Sequence, residues 1–568
     1  MKIQQRPLLT CLEPFQGMPD FVARIFAARG VQSEQELQLK LKYLLAPNMK
    51  DLEQAVTLID QAIDLKKHIV IVGDYDADGA TSTALMMHAL CKMGAQVHYF
   101  VPDRFKYGYG LTAKIAEVVF DLFHPDLLIT VDNGISSHEG VAQAHALGMQ
   151  VIITDHHLTT KTAPPAEAVV NPNQQGCPFP SKALAGVGVA FYVLASLSTQ
   201  RKKQGKSFCN MLDYLDLVAL GTYADVASLD YNNRILVDCG VKRIQQGACC
   251  FGIQAILATA KKQLAQVTAQ DLGFVIGPRL NAAGRMDSMK IGIECLLAQD
   301  YAKAYDLAMQ LNQLNLERRQ VEQQMQQQAL TCLESVHFNL TELPASLVVF
   351  DPSWHQGVIG IVAGRLKEQF HRPTIVFAAD EDGIHLKGSA RSIEGIHVRD
   401  AIEQVAQNYP DVISHFGGHA AAAGLTIKKS EFNTFQTAFN AVIAQSDAEL
   451  FDSIFWTDGV LHPQYFKIET VDLLQNLAPW GQKFPNPVFE GCFEISDFRW
   501  LKELHLKLYL KLSDGTQIEA IVFNALRFDF DPSAKQVYLV YELDKNQFKD
   551  QINLQLKVRY LTHKKAIP

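Results

Sequence analysis

The sequence predicts a multidomain α/β protein that ends in a small β-barrel, and three observations carry that reading. Short β-branched runs alternate with helical stretches between His68 and Thr154, the pattern of a parallel sheet with crossover helices. A second, shorter α/β unit follows a long polar stretch near residues 300–336. From about Phe451 onward the hydrophobic period becomes two, as in strands with one buried face. At 568 residues, 48% hydrophobic and 20% charged, the chain is too long for one domain of roughly 100 to 200 residues.

In chain order, residues 1–67 read as a helical cap, with Leu52, Val56, Ile59, Ile63 and Leu65 spaced for one buried face. The main α/β domain is expected over 68–297. Its strands are His68–Val72, Val97–Val101, Leu127–Val131 and Val151–Thr154, separated by helices such as Thr81–Met93 and Thr112–Phe123. Ala163–Pro180, with five prolines and Asn171, Asn173 and Gly176, reads as a loop rather than a sheet element. Residues 298–336 lack Gly and Pro and place Leu307, Leu311, Leu314, Val321 and Met325 near helical spacing. That predicts a bridging helix; a coiled-coil arm is the competing reading, but the stripe is too broken for sustained heptads. The second α/β unit, 337–450, has strands at Ser346–Phe350 and Thr374–Phe377 around a helix from Val358 to Gln369. In 451–568, Leu504 to Leu512 alternate with His505, Lys507, Tyr509 and Lys511 before a Ser513-Asp514-Gly515 turn, and Ile552 to Tyr560 repeat the alternation. A barrel accounts for both.

Composition excludes several classes. A net charge of −8 is wrong for a protein that holds nucleic acid by bulk positive charge, so any such site must be a local groove. Ten cysteines without a Cys-x-x-Cys spacing suggest neither a disulfide scaffold nor a zinc finger, and fit a reducing, cytoplasmic compartment. The start shows no apolar signal region, and no apolar run approaches the roughly 18 residues of a membrane span. Export and membrane insertion are not expected.

Acidic or histidine clusters follow three of the strands: Asp74-Tyr75-Asp76-Ala77-Asp78-Gly79, Asp132-Asn133-Gly134 and Asp155-His156-His157. Ligands bind at the carboxyl ends of strands in open parallel sheets, so these clusters should converge. Carboxylates with one or two imidazoles and no thiolate select Mg²⁺ or Mn²⁺ over structural zinc. The first cluster also matches the opening of a calcium loop, but that loop needs Glu at its twelfth position, where this chain has Leu85. Taken singly, Asp132 reads as a turn or helix cap and the two histidines as a surface pair. All three ending strands of one sheet by coincidence is the weaker account. Asp225, in Gly221-Thr222-Tyr223-Ala224-Asp225-Val226, is a further acidic candidate.

This set, Asp74 to Gly79, Asp132 to Gly134, Asp155 to His157 and Asp225, resembles the four motifs of the DHH phosphoesterase family. Gly277-Pro278-Arg279-Leu280-Asn281-Ala282-Ala283-Gly284-Arg285, Gly388-Ser389-Ala390-Arg391-Ser392 and Gly417-Gly418-His419 resemble the further motifs of its branch of bacterial single-strand-specific exonucleases. The resemblance runs from about residue 68 to the C-terminus and implies the fold: a DHH phosphoesterase domain, a DHH-associated domain joined by the long helix, and an OB-like barrel. It implies two divalent ions, Mn²⁺ or Mg²⁺, held by Asp74, Asp76, Asp78, Asp132, His156 and Asp225. It further implies that Asp155 orients a histidine ring and that His157 contacts the scissile phosphate. Ser389, Arg391 and His419 resemble the family's phosphate-binding elements.

Arg279 and Arg285 are expected on the DNA backbone, since Arg279 to Lys290 holds three basic residues against one Asp; pairing with Asp287 is the alternative. From Arg499 onward twelve Lys or Arg face eight Asp or Glu, a net of +4. Among Trp500, Tyr509, Phe523 and Tyr560, the best base-stacking candidate is Tyr509, which shares the polar face with Lys507 and Lys511. The expected activity is 5′-to-3′ digestion of single-stranded DNA to nucleotide 5′-monophosphates in repair and recombination. A helicase and single-stranded-DNA-binding protein are the expected partners. The competing readings are a phosphodiesterase for short oligonucleotides or cyclic dinucleotides, which would need no barrel, and a non-catalytic strand binder, which would need no acidic cluster.

Overall fold

In a computed structural model, the structure describes residues 2–108, 110–158, 162–335, 343–548 and 551–563. The chain forms two compact units, one of Gln5–Gln313 with Trp456–Pro568, the other of Leu314–Phe455 with Met1–Gln4.

The first unit is built on a parallel sheet. After helix α1 (Leu52–Asp64) come β1 (His68–Gly73), α2 (Ala77–Lys92), β2 (Gln96–Phe100), β3 (Leu127–Val131), β4 (Gln150–Thr154) and β5 (Ala168–Val170). The order is β2-β1-β3-β4-β5, all parallel. β1 and β3 are buried almost throughout, as expected of strands covered on both faces. Because β2 and β3 lie on opposite sides of β1, the chain reverses direction there and opens a crevice beyond the strand ends. Helices α3 (Gly186–Lys203), α4 (Leu215–Ala224) and α5 (Gly277–Met286) then bring further residues to this edge.

Several expectations change. β5 lies inside the proline-rich stretch expected to be loop; Ala168, Val169 and Val170 are buried beside β4, three residues being too few to show periodicity. The expected helical cap contains a strand at Lys2–Gln5 and several short 3-10 turns besides its two helices. Leu65 caps α1 and is 67% exposed, so it leaves the buried face that Leu52, Val56, Ile59 and Ile63 form.

Helix α6 (Tyr301–Ser335) is continuous; the expected end at Val336 lies outside the described residues. Its buried stripe runs Ala304, Ala308, Leu311, Asn315, Arg318, Glu322, Met325, Ala329, Leu333. The apolar pattern reads as broken because three members are polar. In the second unit Glu322 accepts from Arg318 at 2.9 Å and Arg365 at 3.0 Å. That unit's sheet combines β6 (Leu347–Phe350), β7 (Thr374–Ala379), β8 (His385–Arg391), β9 (Ile413–Gly418) and β10 (Ala422–Lys428), with α7 (Ile359–Phe370) following β6. Its order is β9-β10-β8-β7-β6, packed on a core around Phe377, Phe435 and Phe439.

The stretch expected to be all-β from Phe451 is not, because a helix spans Ile468–Leu477 in the first unit. The barrel proper begins at Phe489. Strands β11 (Phe489–Leu501), β12 (His505–Lys511), β13 (Gln517–Val522), β14 (Gln536–Phe548) and β15 (Gln551–Thr562) close in the order β11-β12-β13-β15-β14. Leu506, Leu508 and Leu510 point inward as the alternation predicts. In β15 the alternation is reset by an irregularity opposite Val540 and Tyr541, so Leu561 is buried where Tyr560 was expected. Ile552 is 47% exposed. Arg29 ties the lead-in segment to the cap: its guanidinium grips Asp458 at 2.7 and 3.0 Å, and both side chains are 1% exposed. Among the described residues no helix is long and apolar enough to cross a membrane.

Candidate active site

Each sheet strand that faces the crevice ends in a turn whose backbone is fixed by its own polar side chains. Beyond β1, Asp76 takes the N-cap of α2, its Oδ1 accepting from the N–H groups of Asp78 at 2.9 Å and Gly79 at 3.0 Å. Asp78 is 1% exposed and accepts from the Gly186 and Val187 N–H groups at 2.6 and 2.9 Å. The first turn of α3 thus offers its unsatisfied donors to a buried carboxylate.

Beyond β3, Asp132 adopts a left-handed conformation at φ 63° and is 1% exposed. It caps no helix, contrary to the reading its sequence alone allows, and its carboxylate is buried. The Asn133 amide donates to the Val72 and Val131 carbonyls at 3.2 and 2.9 Å and so staples the ends of β1 and β3. Strain of this kind persists only where surrounding structure enforces it.

Beyond β4, buried Asp155 accepts from the N–H groups of Ile135 (2.8 Å), His156 (2.7 Å) and His157 (3.1 Å) and pairs with His157 Nδ1 at 2.7 Å. The ring it orients is therefore that of His157. Asp225 caps the end of α4, and the next residue, Val226, is left-handed at φ 58°.

These turns converge. Ligand atoms within 4.8 Å of one another come from Asp74, Asp76 and Asp132, from Asp78, His156 and Asp225, and from Asp132, His156 and His157. His156 sits at the junction: its Nε2 lies 3.1 Å from Asp132 Oδ1, 3.9 Å from Asp225 Oδ2 and 4.0 Å from Asp78 Oδ2.

The electrostatics follow from crowding like charges in a dry place. Burial, then neighbouring carboxylates, push Asp132 and Asp225 well above the usual carboxylate range and Asp78 to about 7. Burial, then the His157 charge, lower His156 to about 4. Burial also opposes the His157 charge, but the Asp155 hydrogen bond and surrounding acids outweigh it and lift His157 to about 9. Asp155 is the exception among the buried acids: burial works against its charge, yet bonding to His157 holds it below the usual value.

The residues present fit a divalent ion. His156 is held neutral, and its buried Nε2 makes no hydrogen bond although Asp132 Oδ1 is 3.1 Å away. A buried ring nitrogen without a hydrogen bond, facing the oxygens of three acidic side chains, suits a shared cation that would replace their protons. The donor set of carboxylate oxygens and imidazole, without thiolate, suits Mn²⁺ or Mg²⁺.

Other residues that the sequence did not single out as site residues shape the cluster, although Gly221 and Asn281 lie within motifs quoted above. A Cβ on Gly186 would lie 2.7 Å from Asp132 Oδ1, and one on Gly221 would lie 2.8 Å from Asp78 Oδ1. Asn281 Oδ1 accepts from Ala77 N–H at 2.8 Å, inside the acidic loop. From the proline-rich segment, Asn173 and Asn171 donate to the His156 and His157 carbonyls at 2.6 and 3.0 Å. Only their occurrence as Asn-Pro-Asn hints at a fixed turn.

The remaining candidates fall in three places. Arg279 and Arg285 lie on α5; Arg279 donates to Val275 O at 2.8 Å and Asn312 Oδ1 at 3.1 Å, so it also braces this helix. In the second unit, Arg391 Nη1 donates to Ser389 Oγ at 3.1 Å at the end of β8, with Gly360 of α7 close against both. His419 lies at the β9–β10 turn, adjoining Ala422, which pairs with Arg391. Tyr509 is on the outer face of the barrel, under Lys507 Nζ at 5.2 Å from the ring centre.

Comparison with known proteins agrees with this architecture. Family models match for the DHH family N-terminal domain over residues 68–222, the DHHA1 domain over 344–445 and the RecJ OB domain over 457–560. The chain is 47% identical over 549 residues to the single-stranded-DNA-specific exonuclease RecJ of Haemophilus influenzae, covering 95% of each chain. It is 44% identical to the Escherichia coli protein of the same name, again covering 95% of each. The structure superposes on RecJ of Thermus thermophilus in complex with Mn²⁺ with a TM-score of 0.82 at 28% identity, covering all of this chain and 80% of that one. A Mg²⁺ complex of that protein gives 0.76 at 26%, covering all of this chain and 78% of that one. With near-complete coverage at this identity, the chain belongs to the RecJ family of single-stranded-DNA-specific exonucleases.

Proposed function

We propose that this chain is a metal-dependent exodeoxyribonuclease that digests single-stranded DNA from its 5′ end and releases nucleotide 5′-monophosphates. The observation that carries the reading is the convergence of four carboxylate-bearing segments around the buried Nε2 of His156 in a chain of this family. Asp74, Asp76, Asp78, Asp132, His156 and Asp225 would hold two divalent ions. When bound, these would cancel charge on the phosphoryl group and lower the pKa of an attacking water.

The chain's own side chains do the rest. Asp78 has both oxygens engaged by α3 N–H groups, which fixes its remaining lone pairs toward His156 and Asp225. Asp155 holds the His157 ring through Nδ1, so a contact to the scissile phosphate falls to Nε2. The Asp155 hydrogen bond favours the protonated His157 ring, which would donate from Nε2 to a phosphoryl oxygen. Ser389, Arg391 and His419 would hold a phosphate, while Arg279 and Arg285 would follow the backbone. Tyr509 and the basic surplus of the barrel would retain the strand.

The proposed division of labour places a cap at 1–67, a catalytic domain at 68–297, a connecting helix at 298–336, an associated domain at 337–450 and a nucleic-acid-binding barrel at 451–568. The setting proposed is cytoplasmic DNA repair and recombination, with a helicase to unwind duplex and single-stranded-DNA-binding protein to present the strand. The test is product analysis on a strand labelled at either end, with Mn²⁺ and with chelator. Release of labelled mononucleotide first from the 5′ end, abolished by chelation, is expected. First release from the 3′ end, or cleavage of dinucleotides but not of long strands, would reject the reading.

A further inference from the structure

We infer that Phe274 stacks on a nucleobase of the substrate strand beside the carboxylate cluster. This rests on the single-strand nuclease reading above and adds a residue that grips the strand through its bases rather than its phosphates.

Three observations lead there. First, Phe274 is 72% exposed, the most exposed phenylalanine among the described residues. An aromatic ring left in water forgoes a large apolar burial, on the order of 2 kcal/mol. Second, it is presented by a π-helical turn, Leu272–Ile276, running directly into α5. Such turns are rare and concentrate at functional sites. Third, the turn is pressed onto the chain just before Asp225. A Cβ on Gly273 would lie 2.8 Å from the Tyr223 ring, and one on Gly277 would lie 3.2 Å from Ala224 Cβ.

The same helix continues along the acidic loop, where Asn281 accepts from Ala77 N–H. Phe274, Pro278, Asn281 and Arg285 are three or four residues apart and all partly or fully exposed, while Leu272, Ile276, Leu280 and Ala283 are buried. They form one solvent-facing stripe. At 1.5 Å per residue Phe274 stands about 10 Å along that stripe from Asn281. The stripe therefore carries an aromatic face at one end, the acidic-loop contact in the middle and a guanidinium at the other end. That order suits a polymer with alternating flat bases and anionic phosphates. A free phosphate or a diester without bases would have no use for the ring.

Stacking accepts any base, so the contact would be indifferent to sequence. The test uses the full-length, Mn²⁺-loaded protein and single strands carrying one abasic nucleotide, moved stepwise from the cut end. For the unaltered protein one position near that end should raise KM by roughly 5- to 150-fold. Phe274→Ala should show a loss of that size on the intact strand, with kcat changed less, and no added loss at that abasic position. Phe274→Trp should restore both the KM and the positional sensitivity. Thermal melting should not separate the variants, because the ring is exposed. A Phe274→Ala protein with unaltered KM, or one with the unaltered protein's abasic profile, would overturn the inference alone. An unaltered protein inert on every strand would overturn the nuclease reading and this inference with it.

Discussion

One tight point of the site is where α3 begins beneath Asp132, and Gly186→Ala tests it. The new methyl carbon would lie 2.7 Å from both Cβ and Oδ1 of Asp132 and 2.9 Å from its Cα. Carbon contacts of this kind settle near 3.5 to 4.0 Å, so Asp132 or α3 must yield by about 1 Å. Asp132 cannot move freely, because its left-handed turn is stapled by Asn133. Overpacking of this sort costs about 1 to 3 kcal/mol. Alanine in the first turn of a helix returns at most about 1 kcal/mol through propensity, so the melting temperature should fall only modestly. Misplacing a reacting group by 1 Å can cost about a hundredfold in rate. We therefore expect a loss of about that size in exonuclease rate, with weaker Mn²⁺ binding by calorimetry, beside a small change in melting. Unchanged Mn²⁺ affinity and rate would show that Asp132 is not held where its neighbours place it, or that it does not act.

Further outcomes are expected. Asp132→Ala should lower hydrolysis by at least about a thousandfold while strand binding, measured by fluorescence anisotropy, changes little; retained turnover with Mn²⁺ would contradict the ligand assignment. In metal-free protein, Asp78 and His157 hold protons in the fold beyond their unfolded values, at about 7 and about 9. Their stabilising contributions are therefore complete at low pH and lost as pH rises through those values, whereas His156, lowered to about 4, is neutral in both states above its unfolded value. Chelated protein should melt at progressively lower temperature from about pH 6.5 to 9, and added Mn²⁺ should flatten the curve; a melting temperature that rises over that range would refute the charge assignment. Asp458→Ala leaves Arg29 buried without its partner and should cost about 3 to 5 kcal/mol in urea unfolding. For the same reason, ending the chain after Asn486 should preserve catalysis on short strands and weaken salt-dependent binding to long ones, whereas ending it at residue 451 should destabilise the catalytic unit itself.

What the sequence made legible was whatever repeats or clusters locally. The β-branched runs of the parallel sheet, the alternation in β12 and the acidic motifs at the strand ends all depend on neighbours a few residues apart, and the structure brings those motifs together. Context hid the rest. β5 is three residues among prolines, and the helix at Ile468–Leu477 precedes strands that dominate the pattern. The stripe of α6 includes Arg318 and Glu322, which qualify as interior only because they bond to each other and to Arg365. Gly186, Gly221 and Asn281 matter through partners more than a hundred residues away or from a different element, a relation that no local pattern encodes. Asp155 could be expected to orient a ring, but which of two adjacent histidines it holds is decided by the turn after β4.

The most direct measurement is anomalous diffraction from a crystal of this protein soaked in Mn²⁺. Two peaks within coordinating distance of the Asp76, Asp132, Asp225 and His156 side chains are predicted, and both should vanish in Asp132→Ala or fall to one. A crystal with no peak beside His156, or with manganese bound only elsewhere, would contradict the account.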